Sequence, residues 1–217
     1  MSNLVLMSDF DGTIVDVDTG LAVLSKFADG DWENVERQYA LEQITFEDSL
    51  RREFSMITAS EATIVNEMDA VAIVRPHFIE MVNYCRRMEV PFIITSAGLD
   101  FLIKHVMSKT KVDDYVRVYA PRAECGSEGI QLDFPMLHDP DSHSFKDDLV
   151  VHYQRDGHRV AYIGDGQADY YALSKADFAF AMQGSTSALR CRKDGITFHE
   201  IVDFQAVIDM LPKIIQG

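Results

Sequence analysis

Short apolar runs recur along the chain, at Leu4–Ser8, Pro91–Thr95, Val116–Ala120, Arg159–Ile163 and Phe178–Met182. Between most of them, apolar side chains return roughly every three to four positions, the spacing of one helix face. This predicts helices over Pro76–Met88, with a proline at its start, and over Leu99–Ser108, Phe145–Arg155 and Ala168–Ala176. Unbroken apolar strands that alternate with amphipathic helices belong to a parallel sheet covered on both faces. The fold class expected is therefore α/β.

One segment breaks the alternation. From Val17 to Val71 the pattern is helical throughout, in the stretches "LAVLSKFA", "WENVERQYALEQ", "TFEDSLRREFSMI" and "SEATIVNEM". Thr45 and Ser60 stand where N-caps are needed. Further on, Glu124–Pro135 ("ECGSEGIQLDFP") reads as a hairpin with glycine at its turn. The expected division is an α/β core of residues 1–15 and 73–217, with a small all-helical insert at 16–72. An insert just after the first strand stands above that strand's carboxyl end, where open α/β sheets bind ligands, which makes it a candidate lid. Its aromatic residues Phe27, Trp32, Tyr39, Phe46 and Phe54 are expected in the lid core, with one or two lining a pocket.

Composition narrows the class of partner. The chain has 217 residues, with 20 Lys plus Arg against 35 Asp plus Glu, a formal charge of −15. Such a balance repels nucleic acid and anionic membranes on average. A small phosphorylated metabolite remains compatible, because local donors or a cation reverse the field. No apolar run approaches the roughly 20 residues needed to span a bilayer, and Met1–Asp9 lacks the basic front and cleavage pattern of a signal peptide. Cys85, Cys125 and Cys191 are odd in number, form no CxxC and have no evident base partner, so they read as core or surface thiols in a reducing compartment. A soluble cytoplasmic protein, monomeric or homodimeric, is expected.

The chemistry begins in "LVLMSDFDGTIVD", where an apolar strand ends on Asp9 and Asp11. Residues two apart on a strand face the same way. Carboxylates this close repel unless positive charge lies between them, and a divalent cation is the simple solution. Gly12 permits unusual backbone angles just beyond and is expected among the residues that bind the phosphate. The theme repeats in "RVAYIGDGQADYY", where Asp165 ends a strand and Asp169 opens a helix. Neighbouring parallel strands bring these four acids together. "VPFIITSAG" adds the hydroxyl of Ser96 and, at Ala97 and Gly98, backbone N–H groups at a helix start, a natural anion seat. Lys146, at the start of the helix before "RVAYIG", supplies a positive charge.

Carboxylates with a cation, a hydroxyl, helix-start amides and a lysine suit phosphoryl transfer. The cation offsets a phosphate dianion so that a carboxylate can approach it. Asp9 can then attack phosphorus, while Asp11 protonates the leaving oxygen and afterwards activates water. Hydrolysis is one outcome. A phosphotransferase or mutase on the same scaffold, and a non-catalytic module that binds a phosphate ligand, are the alternatives. Asp18 either caps a helix or faces the crevice, and Arg51 and Arg52 read as surface charge. His138 and His143, with Asp139 and Asp141, read as a polar loop, since their spacing fits no metal geometry.

Taken together, "DFDGT", "ITS", Lys146 and "GDGQAD" resemble, in order, the four motifs of the haloacid dehalogenase superfamily of phosphatases. The resemblance spans most of the chain. It implies a Rossmann-like core with a helical cap of the C1 type, and Mg²⁺ as cofactor. It implies Asp9 as nucleophile, Asp11 as general acid and base, Ser96 on the phosphate, and Lys146 balancing Asp9 and the phosphate. The metal would be held by Asp9, the backbone carbonyl of Asp11 and Asp165, with Asp169 in support. Within the superfamily the chain is most similar to phosphoserine phosphatases, through "FEDSLRREFSMI" and "TSAGLDFLIKHVM", and to the methionine-salvage phosphatase acting on 2-hydroxy-3-keto-5-methylthiopentenyl 1-phosphate. There are departures. Asp18 stands where phosphoserine phosphatases usually carry the Glu that binds the amino group, and Glu53 stands where they carry the Arg that binds the carboxylate. Ala168 precedes Asp169 in place of Asn, Asp147 follows Lys146 in place of the frequent proline, and "PMLHDPDSHSFK" lacks the salvage enzyme's cysteines. Phosphoserine itself is disfavoured, and Asp18 and Glu53 are expected to contact the substrate.

Overall fold

The computed structural model describes residues 3–216. In chain order its strands are β1 (Leu4–Ser8), β2 (Phe92–Thr95), β3 (Val116–Tyr119), β4 (Arg122–Gly126), β5 (Gly129–Asp133), β6 (Arg159–Gly164), β7 (Phe178–Met182) and β8 (His199–Ile201). The helices are α1 (Thr19–Phe27), α2 (Trp32–Ala40), α3 (Phe46–Phe54), α4 (Glu61–Met68), α5 (Phe78–Arg87), α6 (Asp100–Ser108), α7 (Phe145–Arg155), α8 (Tyr170–Lys175), α9 (Thr186–Asp194) and α10 (Gln205–Gln216). A 3₁₀ turn, Gln167–Asp169, precedes α8.

Six strands form one parallel sheet in the order β3–β2–β1–β6–β7–β8, and β4 and β5 form a separate antiparallel hairpin. Ser8 pairs with Ile94 on one side and Ile163 on the other, so the carboxyl ends of β2, β1 and β6 finish abreast. Alternation along the strands fills two apolar layers. Leu4 and Leu6 pack with Phe78, Phe92 and Phe204 on one face, whereas Val5 and Met7 pack with Ile93, Leu149 and Tyr162 on the other. Burial on both faces is why these strands read as continuous apolar runs.

All five expected sheet strands form, with ends shifted by one residue at β2, β3 and β6. Pro76 does not open a helix. His77 adopts a left-handed conformation (φ 64°), and the helix starts only at Phe78. The expected helix over Ala168–Ala176 is divided into the 3₁₀ turn and α8, because the Asp169 carboxylate turns back onto the N–H groups of Asp165 and Gly166. The hairpin begins at Arg122, two residues before the expected start.

Four helices, α1 to α4, follow β1. Thr45 and Ser60 are N-caps, accepting from Asp48 N and Thr63 N at 3.2 Å each. The apolar side of these helices does not close on itself alone. Val23, Leu24, Phe54, Ile57, Ile64 and Met68 share a cluster with Leu99 and Leu102 at the start of α6 and with Ile130 and Leu132 of the hairpin. Gly129 (φ 104°) lies so close to α3 that an added Cβ would stand 2.0 Å from the Ser55 carbonyl oxygen. Where the chain leaves and re-enters the sheet layer, Val15 and Val74 form an antiparallel bridge. Among the described residues, no helix is long and apolar enough to cross a membrane.

Candidate active site

Parallel pairing carries Asp9 one residue past the end of β1, where its N–H donates to the Ile163 carbonyl at 2.8 Å. Its carboxylate is buried, and Oδ1 accepts from Phe10 N at 2.8 Å and from Lys146 Nζ at 2.9 Å. Lys146 stands in the first turn of α7, which Ser144 and Asp147 start through a capping box. The buried Asp147 that replaces the frequent proline therefore serves the helix start, and it also pairs with Lys175.

Only 2% of Lys146 is exposed, and its Nζ also donates to Asp169 Oδ1 at 2.8 Å. Tyr162 OH donates to the same oxygen at 2.8 Å and lies 3.0 Å from Thr95 Oγ1. Asp169 Oδ2 accepts from the N–H groups of Asp165 and Gly166, at 3.1 and 2.9 Å. Both oxygens of Asp169 are thus committed to protein donors. Asp165 Oδ1 accepts from Thr13 Oγ1 at 2.8 Å. Gly12 (φ 69°) is required at this point, because a Cβ would lie 2.3 Å from Asp165 Oδ2.

Asp11 points elsewhere. Its Oδ1 accepts from Thr19 N at 2.8 Å and from the Thr19 hydroxyl. Its Oδ2 lies against Gly98, where an added Cβ would be only 2.6 Å away. Ser96 is fully buried, and its Oγ accepts from Gly98 N at 3.0 Å. Asp18 does both things expected of it. It caps α1, accepting from Leu21 N at 2.8 Å, and it lines the cavity.

A cavity of about 350 Å³ opens over these groups. Asp9, Asp11, Asp18, Glu53, Ala97, Gly98, Lys146, Asp165 and Asp169 line it, whereas Ser96 and Gly12 do not. Trp32, Tyr39, Phe46 and Phe54 form its apolar side, more of the lid aromatics than the pattern suggested.

The field in the cavity is strongly negative. Burial, then the charge of Asp169, raise the pKa of Asp9 against the opposing pull of Lys146. Burial and Asp169 likewise raise Asp165. Burial also works against ionising Asp169, but Lys146 and the hydrogen bonds it receives hold it below the usual carboxylate range. Burial would depress Lys146, yet Asp169 and Asp9 raise it and keep it charged. Burial and then the charge of Asp18 push Asp11 up to about 7, despite the two hydrogen bonds from Thr19.

Carboxylate oxygens of Asp9, Asp165 and Asp169 lie within 4.8 Å of one another. Hard oxygen donors, with Asp9 and Asp165 raised by burial and by the neighbouring Asp169, fit a divalent cation such as Mg²⁺. Asp9 and Asp165 are the members with oxygens to spare. The Asp11 carboxylate is not part of this cluster, which leaves only its backbone carbonyl for the metal role expected of it.

Arg51 and Arg52 are exposed, as surface charge should be. His138 Nδ1 lies 2.8 Å from Asp148 and His143 stacks on Tyr171 at 3.5 Å, and neither joins a candidate metal cluster among the described residues. Cys85 and Cys191 are buried free thiols, Cys125 is a half-buried one, and burial pushes Cys85 up to about 12.

Several side chains at the site were not singled out from the sequence: Thr13, Thr19 and Tyr162, Arg75, whose guanidinium donates to the Thr13 and Gly12 carbonyls, and Glu36, which lines the cavity. Tyr162 carried a signal, a lone hydroxyl in the otherwise apolar strand before Gly164. Arg75 and Glu36 carried none, since their importance rests on contacts across the fold.

The profile of the family described as haloacid dehalogenase-like hydrolase matches residues 6–174. A 2-hydroxy-3-keto-5-methylthiopentenyl-1-phosphate phosphatase of Brevibacillus brevis is 29% identical over 183 residues, 82% of each chain. Its namesake from Geobacillus kaustophilus is 26% identical over 217 residues, 97% of this chain and 96% of the relative. The solved structure of a phospho-aspartyl intermediate analogue of phosphoserine phosphatase superposes with a TM-score of 0.67 at 15% identity, covering 95% of this chain and 97% of that one.

Proposed function

The chain belongs to the haloacid dehalogenase-like hydrolases and is a phosphatase, and from that premise we propose that it hydrolyses a small phosphomonoester through an aspartyl-phosphate on Asp9. The observation that best supports this is the ammonium of Lys146, buried between Asp9 Oδ1 at 2.9 Å and Asp169 Oδ1 at 2.8 Å where all three line the cavity. It opposes the rise in the Asp9 pKa and orients the carboxylate, and both of the donors to Asp9 take Oδ1, which leaves Oδ2 to attack.

In this reading Asp9 Oδ2 bonds to phosphorus as the ester P–O bond breaks, and the leaving oxygen takes its proton from Asp11. Its pKa, pushed up to about 7 by burial and then by Asp18, suits Asp11 to hold and release that proton near neutral pH. In the second step Asp11 accepts a proton from water, which attacks the same phosphorus and releases Asp9. The amide of Ala97 receives a phosphate oxygen, and Ser96 acts from behind it by holding Gly98 N at 3.0 Å. When bound, Mg²⁺ supplies charge that offsets the phosphate dianion; Asp9, Asp165 and the backbone carbonyl of Asp11 would hold it, with Asp169 in support. Helices α1 to α4 act as the lid that selects the alcohol part. A cytoplasmic location belongs to the same reading and is supported by the three unpaired cysteines.

The test is phosphate release from 4-nitrophenyl phosphate by wild type and Asp9→Asn, each with Mg²⁺ and with EDTA. Turnover by the wild type with Mg²⁺ alone is expected. Equal turnover by both proteins would remove Asp9 from the mechanism.

A further inference from the structure

The lid side of the cavity carries negative charge that the hydrolytic steps do not use. Glu53, on α3, is 2% exposed and lines the cavity, and its Oε1 has no hydrogen-bond partner. Glu36 on α2 and Asp18 before α1 line the same cavity. Burial, then Glu36 by its charge and by a side-chain hydrogen bond, then Asp18, push the Glu53 carboxyl up to about 7. The only cation among the described lining residues is Lys146, which is already held by Asp9 and Asp169. A buried carboxylate oxygen without a donor is costly, and such an atom facing a cavity marks a missing partner.

We propose that the ester this site accepts carries a primary or secondary ammonium on its alcohol part, seated on Glu53 with Glu36 and Asp18 beside it. The inference deepens the phosphatase reading and relies on it for the position of the phosphate. Three features set the class. The orphaned Oε1 needs a hydrogen-bond donor, which an ammonium has and a quaternary amine lacks. Three carboxylates around one space repel an alcohol that bears a carboxylate, which excludes phosphorylated hydroxy acids and amino acids. Trp32 and Tyr39 line the same cavity and add aromatic surface for an alkylammonium chain. A neutral hydroxylated ester, the kind for which the curated relatives are named, would satisfy the orphaned oxygen but leave the charge unbalanced.

The test compares ω-aminoalkyl phosphates with alkyl and hydroxyalkyl phosphates of matching length, using wild type, Glu53→Gln and Glu36→Gln with Mg²⁺. Calorimetry with the corresponding aminoalkyl and alkyl phosphonates measures binding independently of turnover. In the wild type, at one or more chain lengths, the amino compound is favoured about 10- to 100-fold, the usual range for one charge-assisted hydrogen bond. That ratio collapses in Glu53→Gln and is reduced in Glu36→Gln; as a ratio within one protein, it is insensitive to the fraction folded. Equal or better handling of alkyl or hydroxyalkyl compounds at every length, or an unchanged ratio in both variants, overturns the proposal. If 4-nitrophenyl phosphate is hydrolysed while the amino preference is missing, the ammonium site alone falls. If no ester turns over but aminoalkyl phosphonates bind selectively, the site stands and the phosphatase reading falls. If nothing is hydrolysed or bound, both fall.

Discussion

Arg75 donates from Nε to the carbonyl oxygen of Thr13 at 3.0 Å, across the point where the chain enters and leaves its helical insert. The same guanidinium reaches the Gly12 carbonyl at 3.0 Å, and the Arg75 N–H donates to Ile14 O at 2.7 Å. The loop that carries Asp9 and Asp11 is thereby tied to the returning strand of the insert. Arg75→Met removes two charge-assisted bonds and is expected to cost about 1.5–3 kcal/mol, measured by urea unfolding. A fall in kcat on an aryl phosphate should accompany it, because the Asp11 loop loosens. Unchanged unfolding and unchanged kcat would show that Arg75 does not brace this loop.

Lys146→Met leaves two buried carboxylates facing each other without their cation. Removing one partner of a buried ion pair costs about 3–5 kcal/mol. Without the lysine, Asp9 and Asp169 both titrate higher in the folded state, so the folded chain binds more protons than the unfolded one and its stability falls as pH rises. The deficit relative to wild type, measured by denaturation in metal-free buffer, should be larger at about pH 8 than at about pH 5. A deficit independent of pH would argue against the electrostatic cause.

Gly98→Ala tests the approach of Asp11. The added methyl would stand 2.6 Å from Asp11 Oδ2 and 3.3 Å from Ser96 Oγ, so the acid must move. A displacement of about 1 Å at a reacting group costs on the order of 100-fold in rate, whereas stability should change by about 1 kcal/mol or less. Steady-state kinetics on an aryl phosphate beside a thermal melt separates the two effects. Full activity would place the general acid elsewhere.

Glu53 carries its own pH signature. Its carboxyl is pushed up to about 7 in the folded chain, from an ordinary value of 4.5, by burial and then by its acidic neighbours. The folded state therefore holds the proton more tightly, and stability is lost as pH rises through that interval. Glu53→Gln removes the penalty, which is of order 1–3 kcal/mol once partial solvent screening is allowed for. The variant should melt above wild type at about pH 8, and the gap should close by about pH 5. A constant gap would show that the carboxyl is not the source.

Much of the architecture was legible because it depends on local spacing. Continuous apolar strands alternating with helical stripes identified the parallel sheet, and the loss of strands after Val17 identified the insert. The caps Thr45 and Ser60 were readable because a cap acts within a few residues of itself. The distal elements were not. β8 is three residues long, with two of them exposed, and shows no apolar run. α10 contains Pro212, which counts against a helix locally, yet Val207, Leu211 and Ile214 bury its face against the sheet. His77 and the divided helix at Asp169 likewise follow from interactions that periodicity does not encode.

By itself the sequence determined that Asp9 follows directly on one strand and Asp165 on another, because a buried apolar run that stops at an acid marks where the strand ends. Only the tertiary structure decided how these groups divide the work. It set Lys146 between Asp9 and Asp169, turned Asp11 onto Thr19, used up both oxygens of Asp169, and brought Glu36 and Asp18 beside an orphaned Glu53. The physical reason is range. Strand and helix periods act over a few residues, whereas the charge balance of a buried site sums over groups far apart in the chain, and that sum exists only once the chain has folded.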